Sequence, residues 1–521
     1  MIQEENMDEF LKNTNNLTVL ILAAGYGRRM GPFSRMVNKS LIPYDNKPLI
    51  SHIMAKFDPN TKFVIACGNM GQQVKDYVSN VHSEKNVVFV NIPKFDEGNT
   101  GPATTIQYCA KHLPGAFLWI TCDTLFEFNF TDKFDHNWIA VSPVDSTVSQ
   151  DYCWIKRDGD TITSVYNKIK SLGAVDAFIG LMYVKDTQFI NNLNECNAKD
   201  VYEGFNNLDL KAYTAKEWQD FGTYDKWKTL SKDLPEVSFP KPDELFYHDN
   251  GKIVKFTTNE KLASLRYERA MLNPICMPNN VLHIGNFLIY NHAPGDTLYT
   301  CLTPEIFTKF INWAERNLWT QARTFGDTFD YADVFYYKKT TERLEKFRVK
   351  YSTWVEFPIV NGHEVKSIDE YLSHINFNWL ACETEWCFTH GDMQFDNIIY
   401  DITTDKFTAI DWRTDFAGDQ YGDLYYDLAK MLGGLYLSYK YIKEDKFTYE
   451  EMDNQVVIDY PSVNDVHLYV SHLQEWVIAN GYDWQKVKTL VPIIYLNMAP
   501  LHEAPFDKFL IALAQLFFSQ L

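Results

Sequence analysis

The chain has 521 residues, 46% of them hydrophobic and 15% aromatic, which is material for two large or about three ordinary domains and excludes disorder as the dominant state. With 24 Gly and 20 Pro it is neither collagen-like nor low-complexity. A net charge of −19 argues against a nucleic-acid binder, which needs a basic footprint, but not against small anionic substrates, which a few local Lys, Arg and N–H groups can hold.

Residues 1–16 are polar and read as a flexible tail without the basic and apolar regions of a secretion signal. LTVLILAAG (17–25) is a continuous apolar run ending in glycine, the pattern of a buried parallel strand that feeds a loop. KFVIACG (62–68), NVVFVNI (86–92), AFLWITCD (116–123), WIAVSPV (138–144) and AFIGLMYV (177–184) repeat it, with helix-length stretches such as 46–57 and 71–80 between some of them. This order predicts an α/β domain over 17–231, a Rossmann-like, mostly parallel sheet with helices on its faces. Within it, DYCWIKRDGDTITSVYNK predicts a hairpin turning at Asp158-Gly159.

Around 231–243 three prolines and five charges break the periodicity, which predicts a linker over 232–243. ELFYHDNGKIVKFTT (244–258) predicts a second hairpin with an Asn250-Gly251 turn, and 259–272 a helix. Thr303-Pro304 opens a further helix as cap and first residue. From 300 onward the pattern is mostly helical, with one loop-rich segment at 388–427. A small strand-rich lobe (244–300) before a helical lobe (301–521) is a bilobal, kinase-like α+β order. The nine cysteines stand singly with no C-x-x-C, as expected of reduced thiols in a cytoplasmic protein. No apolar run reaches the roughly 18–20 residues of a membrane helix.

Two constellations carry chemistry. The first is LAAGYGRRM (22–30) at the end of the first strand. Gly25 and Gly27 let backbone N–H groups approach phosphates, Ala24 shares the turn, Arg29 adds charge, and Lys39 follows in NKSLIP. The dinucleotide G-x-G-x-x-G pattern is not met, because Met30 stands at its third glycine. The longer string L-A-A-G-x-G-x-R-M with K-x-L-x-P resembles the sugar-phosphate and phosphocholine nucleotidyltransferase family over roughly 17–230. The resemblance implies that GNTGPA (98–103), with Gly101, contacts the base. It implies that WITCDT (119–124) ends in a metal-binding Asp123, that YNKIK holds a substrate-side Lys168, and that EWQDFGT supplies a second metal ligand, Asp220. Taken singly, Asp123 reads as a turn residue, Lys168 as a surface lysine and Asp220 as a helix cap. The chemistry implied is attack of a substrate phosphate on the α-phosphorus of an NTP with loss of pyrophosphate. Mg²⁺, Arg29 and Lys39 would offset the charge.

The second is FTHGDMQFDNIIYD (388–401) followed by FTAIDWRTDF (407–416). Asp392 and Asn397 have the D-x-x-x-x-N spacing of a kinase catalytic loop. Asp392 suits the proton acceptor of a substrate hydroxyl, and Asn397 and Asp411 suit Mg²⁺ on ATP. His390 is expected to orient the loop, and Asp396 to be a solvated carboxylate. H-G-D-x-x-x-x-N-I-x-Y-D with I-D-W resembles the aminoglycoside phosphotransferase and choline kinase family over roughly 240–521. Asp427 in GDLYYDLAK would then tie the loop. Lys255 on its strand would contact ATP phosphates and pair with Glu268. No glycine-rich loop precedes Lys255, and I-D-W replaces D-F-G. Arg413 reads either as a holder of a substrate phosphate or hydroxyl or as a salt-bridge partner.

Together the strings predict a bifunctional enzyme. It would phosphorylate a small-molecule hydroxyl with ATP, then couple that phosphate to a nucleotide, CTP being favoured, to give an activated alcohol or sugar for surface polysaccharide. Choline, a polyol and a hexose all remain as acceptors. The alternatives are a sugar kinase joined to a UTP- or GTP-using pyrophosphorylase, a chain in which one domain only senses nucleotide, and an antibiotic phosphotransferase with an unrelated partner domain.

Overall fold

The structure, a computed structural model, describes residues 17–93, 101–128, 134–185, 188–196, 198–206, 208–234, 242–320 and 328–521. The expected tail, residues 98–100 of the glycine segment and most of the expected linker lie outside the described residues. The chain divides into two compact units, 1–263 with 283–289, and 264–282 with 290–521.

The first unit is built on β1 (Thr18–Ala23), β2 (Lys62–Cys67), β3 (Asn86–Asn91), β4 (Phe117–Thr121), β5 (Thr124–Glu127), β6 (Asn137–Val144), β7 (Cys153–Asp158), β8 (Thr161–Asn167), β9 (Val175–Val184), β10 (Leu210–Thr214) and β11 (Glu217–Asp220). Nine of these form one sheet in the order β3-β2-β1-β4-β9-β6-β10-β8-β7, and β5 pairs with β11 alone. β1 is apolar from Val19 to Ala23 because both of its faces are covered. Val19, Ile21 and Ala23 enter one core, and Leu20 enters the other. The first core takes Val74, Tyr77 and Val78 of α1 (Gly71–Val81), and the second takes Ala103, Ile106 and Cys109 of α2 (Pro102–Cys109).

The sheet is mixed, which corrects the expectation of a mostly parallel one. β3, β2, β1 and β4 are parallel neighbours, as are β6 and β10. β9 runs antiparallel to both β4 and β6, and β7 and β8 add antiparallel pairings. A strand buried on both faces reads as an apolar run whichever way it points, so its direction leaves no trace in the pattern.

The two predicted hairpins form. Asp158 faces Thr161 across Gly159. Asp249 faces Lys252 across Asn250 and Gly251, whose φ values of 49° and 69° are those of a type I′ turn. This second hairpin packs within the first unit. Tyr247, Val254 and Phe256 join the core of Tyr77 and Val78, and the Tyr247 hydroxyl donates to the Leu41 carbonyl at 2.6 Å.

The second unit is largely helical. Thr303 caps the helix Pro304–Trp313, accepting from the Ile306 N–H at 3.2 Å. α3 (Lys339–Lys350) and α4 (Leu424–Tyr436) border the second constellation, whose loop precedes the strand Ile398–Asp401. The expectation of one loop-rich break in a helical lobe omitted a four-stranded sheet of Ile359–Val360, His363–Glu364, Thr448–Met452 and Gln455–Asp459. Two of those strands are two residues long, too short to leave an alternating pattern.

Candidate functional site

In the first unit the parallel strands β1, β2 and β4 end at one edge, where open α/β sheets hold ligands. The loop after β1 carries Ala24, Gly25, Gly27 and Arg29. Ala24 is buried and its carbonyl accepts from the Asn69 N–H at 3.0 Å. Gly25 faces open space. Gly27 is left-handed at φ 61°, and a Cβ there would stand 3.2 Å from Cβ of Lys39. Asn38 sets Lys39 in place. Its Nδ2 donates to the carbonyls of Ala23 and Asn69 at 2.9 and 2.6 Å, while its Oδ1 accepts from the Ser40 N–H at 2.9 Å. Lys39 thus crosses Gly27 and donates from Nζ to Oδ2 of Asp123. Burial pushes the Asp123 carboxyl up, but the Lys39 ammonium and the Thr121 hydroxyl outweigh it and hold it below the ordinary range.

Asp220 reaches the same edge because β11 pairs with β5, which sets Asp220 opposite Thr124. The Phe221 N–H donates to the Asp123 carbonyl at 2.9 Å. The Asp220 carboxylate accepts from the Gly222 N–H at 2.6 Å, from the Tyr152 hydroxyl at 2.7 Å and from Nζ of Lys226 at 2.6 Å. A Cβ on Gly222 would lie 3.6 Å from Nη2 of Arg29, so Arg29 borders the same group. Lys168 is exposed at the end of β8, and its N–H donates to the carbonyl of Tyr152 at 2.9 Å.

The fold therefore gathers Gly27, Arg29, Lys39, Asp123 and Asp220, and brings Lys168 beside Tyr152. Gly101 immediately precedes α2, where a Cβ would collide with the Lys199 carbonyl, so backbone packing alone demands a glycine there. Sequence reasoning missed Tyr152 and Lys226. Lys226 had a local signal, since it stands on the helix that Thr223 caps, just past the string that holds Asp220, whereas Tyr152 arrives from 68 residues away. Two carboxylates are the hard oxygen donors that Mg²⁺ prefers, so Asp123 and Asp220 fit that ion once their lysines turn to an incoming anion.

In the second unit, Asp427 on α4 organises the HGD loop. Its carboxylate accepts from the N–H groups of His390 at 2.7 Å and Gly391 at 2.8 Å, and from Nε1 of Trp319 at 3.1 Å. Burial pushes its carboxyl up to about 6. His390 is fully buried, with Nε2 2.8 Å from the Ile410 carbonyl, and burial pushes its imidazole down to about 4. Asp392 stays partly open, its side chain 37% exposed, with Oδ1 2.8 Å from Nζ of the buried Lys430. Burial raises the Asp392 carboxyl, but Lys430, Arg413 and His390 together hold it below the ordinary range, so it is ionised at neutral pH.

Asn397 donates from Nδ2 to the Asp392 carbonyl at 2.9 Å, which leaves its amide oxygen as an acceptor. Asp411 is exposed at φ 57°, next to Ile410, whose N–H donates to the Asn397 carbonyl at 2.9 Å. An amide oxygen and a carboxylate are again oxygen donors suited to Mg²⁺. Arg413 donates from Nε to the Gly391 carbonyl at 3.1 Å.

Asp396 corrects an expectation, for it is half-buried rather than freely solvated. Burial raises its carboxyl, and Nζ of Lys443 is 3.7 Å away. Lys255 lies on the strand Lys252–Thr257 of the first unit. Glu268, in the second unit, is exposed and accepts from the Ser264 hydroxyl at 2.8 Å. Its neighbour Arg269 is the buried cation of that helix, donating from Nη2 to the Thr389 carbonyl at 2.5 Å. Sequence reasoning missed Arg269 and Lys430, since one charge among many on a helix gives no sign of burial.

Residues 19–142 match the family model of the MobA-like NTP transferase domain, so the N-terminal part of the chain carries such a domain. Among curated relatives, the bifunctional protein GlmU of Methanococcus maripaludis is 26% identical over 136 residues, covering 25% of this chain and 30% of that protein. The GlmU of Methanococcus vannielii is 24% identical over 132 residues, with the same shares. The chain thus spans about a third of the length of the curated relatives it matches. Among solved structures, a UDP-glucose pyrophosphorylase complexed with UDP-glucose is 17% identical, covering 42% of this chain and 97% of that one, at a TM-score of 0.36. HddC from Yersinia pseudotuberculosis complexed with GMP-PN is 19% identical, covering 42% and 98%, at a TM-score of 0.34. Among the described residues, no helix is long and apolar enough to cross a membrane.

Proposed function

We propose that the chain is a bifunctional transferase in which the first unit is a nucleotidyltransferase and the second a small-molecule kinase. The observation that carries the first activity is the convergence of Lys39, Asp123, Asp220 and Arg29 at one edge of the sheet, with Arg29, Lys39 and Asp123 inside the span that matches an NTP transferase domain. An oxygen of the phosphorylated acceptor attacks the α-phosphorus of the NTP, and the bond to the β-phosphate oxygen breaks to release pyrophosphate. Lys39 and Arg29 place fixed positive charge where the transition state gains negative charge. Mg²⁺ held by Asp123 and Asp220 would supply further charge neutralisation on the triphosphate. The protein supplies no nucleophile of its own, and Lys168 beside Tyr152 is the substrate-side cation.

The kinase reading is supported by the ionised, half-open Asp392 on a loop held by Asp427. The acceptor hydroxyl oxygen attacks the γ-phosphorus of ATP, ADP leaves, and Asp392 takes the hydroxyl proton. Asn397 and Asp411 would hold the Mg²⁺ that shields the phosphates. The kinase product is the substrate class of the nucleotidyltransferase, which is the reason for one chain to hold both. CTP is the nucleotide we favour, and a nucleotide-activated alcohol or sugar for surface polysaccharide is the product.

The test is a paired release assay on the purified chain. Pyrophosphate is measured with CTP, UTP, GTP and ATP against phosphorylated acceptors, and ADP is measured with ATP against free ones. Pyrophosphate from CTP and ADP from a free acceptor are both expected. A preference of tenfold or more for UTP or GTP, about 1.4 kcal/mol, replaces CTP by a sugar-nucleotide pathway. ADP without any pyrophosphate refutes the first activity.

A further inference from the structure

Beside Asp392 the second unit concentrates positive charge beyond what its carboxylates balance. α3 contributes Lys339 and, one turn on, Arg343. α4 contributes Lys430, one turn after Tyr426. The segment after Asp411 contributes Arg413. Lys430 is paired with Asp392. Arg343 is tied to a neutral group, donating from Nη1 to the Asn497 carbonyl at 2.5 Å, and Arg413 to the neutral Gly391 carbonyl. Burial lowers the Arg413 guanidinium, but Tyr426, Asp392 and Asp415 outweigh it and hold it above its usual range, while the Asp415 carboxylate also accepts from the Thr414 hydroxyl and the Gly418 N–H. Lys339 has no carboxylate partner among the described residues. Its ammonium rests 3.5 Å from the ring centroid of Phe335 and 5.9 Å from that of Tyr426.

The aromatic rings here are already occupied. Phe335 stacks on Phe416 with centroids 3.8 Å apart and planes at 17°. It also carries Lys339, with Arg413 at 5.3 Å. Tyr426 has both cations at 5.9 Å. An aromatic cage for a quaternary ammonium needs free ring faces and a negative or neutral surround. These rings instead face the protein's own cations, which would repel a cationic acceptor. A phosphate or carboxylate, by contrast, would relieve the mutual repulsion of Lys339, Arg343 and Arg413 and gain charge-assisted hydrogen bonds. Burial, with Arg413, Arg343 and Lys430 adding to it and Asp392 opposing, drives the Lys339 ammonium well below its usual range, as expected where buried cations crowd one another.

We infer that the acceptor phosphorylated at Asp392 carries an anionic group of its own, bound by Lys339, Arg343 and Arg413, and is not a quaternary amine. The inference rests on the kinase reading, and the two fail separately. ADP formation by the full chain with ATP and Mg²⁺ is compared for choline, ribitol, glycerate and a hexose 6-phosphate. An anionic acceptor is expected to exceed choline and ribitol in kcat/KM. Lys339→Met is expected to raise KM for it about 10–100-fold, the value of one charged hydrogen bond, while Lys339→Arg restores most of the affinity. Preference for choline or ribitol, or an unchanged KM in Lys339→Met, overturns the inference and leaves the kinase standing. If no acceptor yields ADP, the kinase reading falls. Calorimetric titration of hexose 6-phosphate into wild type and Lys339→Met then decides the anion site by itself. Binding weakened about tenfold or more in the variant supports it, and equal or undetectable binding overturns it.

Discussion

Lys39 crosses the left-handed Gly27 to place its ammonium on Oδ2 of Asp123, 84 residues away in sequence. The pair joins the loop after the first strand to the end of the fourth strand of the sheet's parallel set, and so fixes the geometry in which a triphosphate would meet a carboxylate. In the resting state each group holds the other, and an incoming phosphate would compete for the lysine.

Loss of either partner should therefore cost nucleotidyl transfer and little else. Lys39→Ala is expected to lower pyrophosphate release about 10²–10³-fold, the range for removing one preorganised charge donor, and Asp123→Ala to abolish most of the rate. Release by Asp123→Ala at the wild-type rate would remove Asp123 from the chemistry and leave it as a structural partner of Lys39.

Gly27→Ala tests the crossing itself. The left-handed backbone costs a residue with a Cβ roughly 1–2 kcal/mol, and the new Cβ would press on Lys39 at 3.2 Å. The expected result is a lower denaturant midpoint together with slower pyrophosphate release, while ADP formation stays unchanged. A variant with wild-type stability and turnover would contradict the placement of this loop.

The two activities should separate by point mutation. Asp392→Asn keeps the loop's shape but removes the proton acceptor, and general-base loss costs about 10²–10⁴ in rate. This variant is expected to fail on free acceptor and still couple phosphorylated acceptor to the NTP. Lys39→Ala should show the converse. A folded Asp392→Asn chain that loses nucleotidyl transfer refutes the two-site reading.

Asp427 gives a pH signature. Its folded value of about 6 lies above the ordinary carboxyl value near 4. Between those values the folded chain holds a proton that the unfolded chain has released, so stability falls as pH rises through the window. Two units correspond to about 3 kcal/mol. Asp427→Asn, which cannot titrate, should lack that slope in denaturant unfolding followed from pH 4 to 7. It should also hold the HGD loop less well, because an amide offers one oxygen where the carboxylate uses two. An identical pH slope in wild type and variant would show that Asp427 does not titrate there.

Much of this protein was determined locally and is legible without coordinates. The apolar runs that became β1, β2, β3 and β4 are strands because both faces are covered, and hairpins such as that at Asn250-Gly251 follow from turn chemistry. The loop glycines and the order of Lys39, Asp123, Asp220, Asp392 and Asn397 are properties of the string itself. The tertiary structure alone decided the direction of β9, since an apolar run has no polarity. It alone brought Tyr152 to Asp220, buried Arg269 and Lys430, left Glu268 exposed and half-buried Asp396. Burial and charge pairing depend on contacts between segments far apart in the chain, and a charged residue on a helix or loop carries no local mark of which neighbour will cover it.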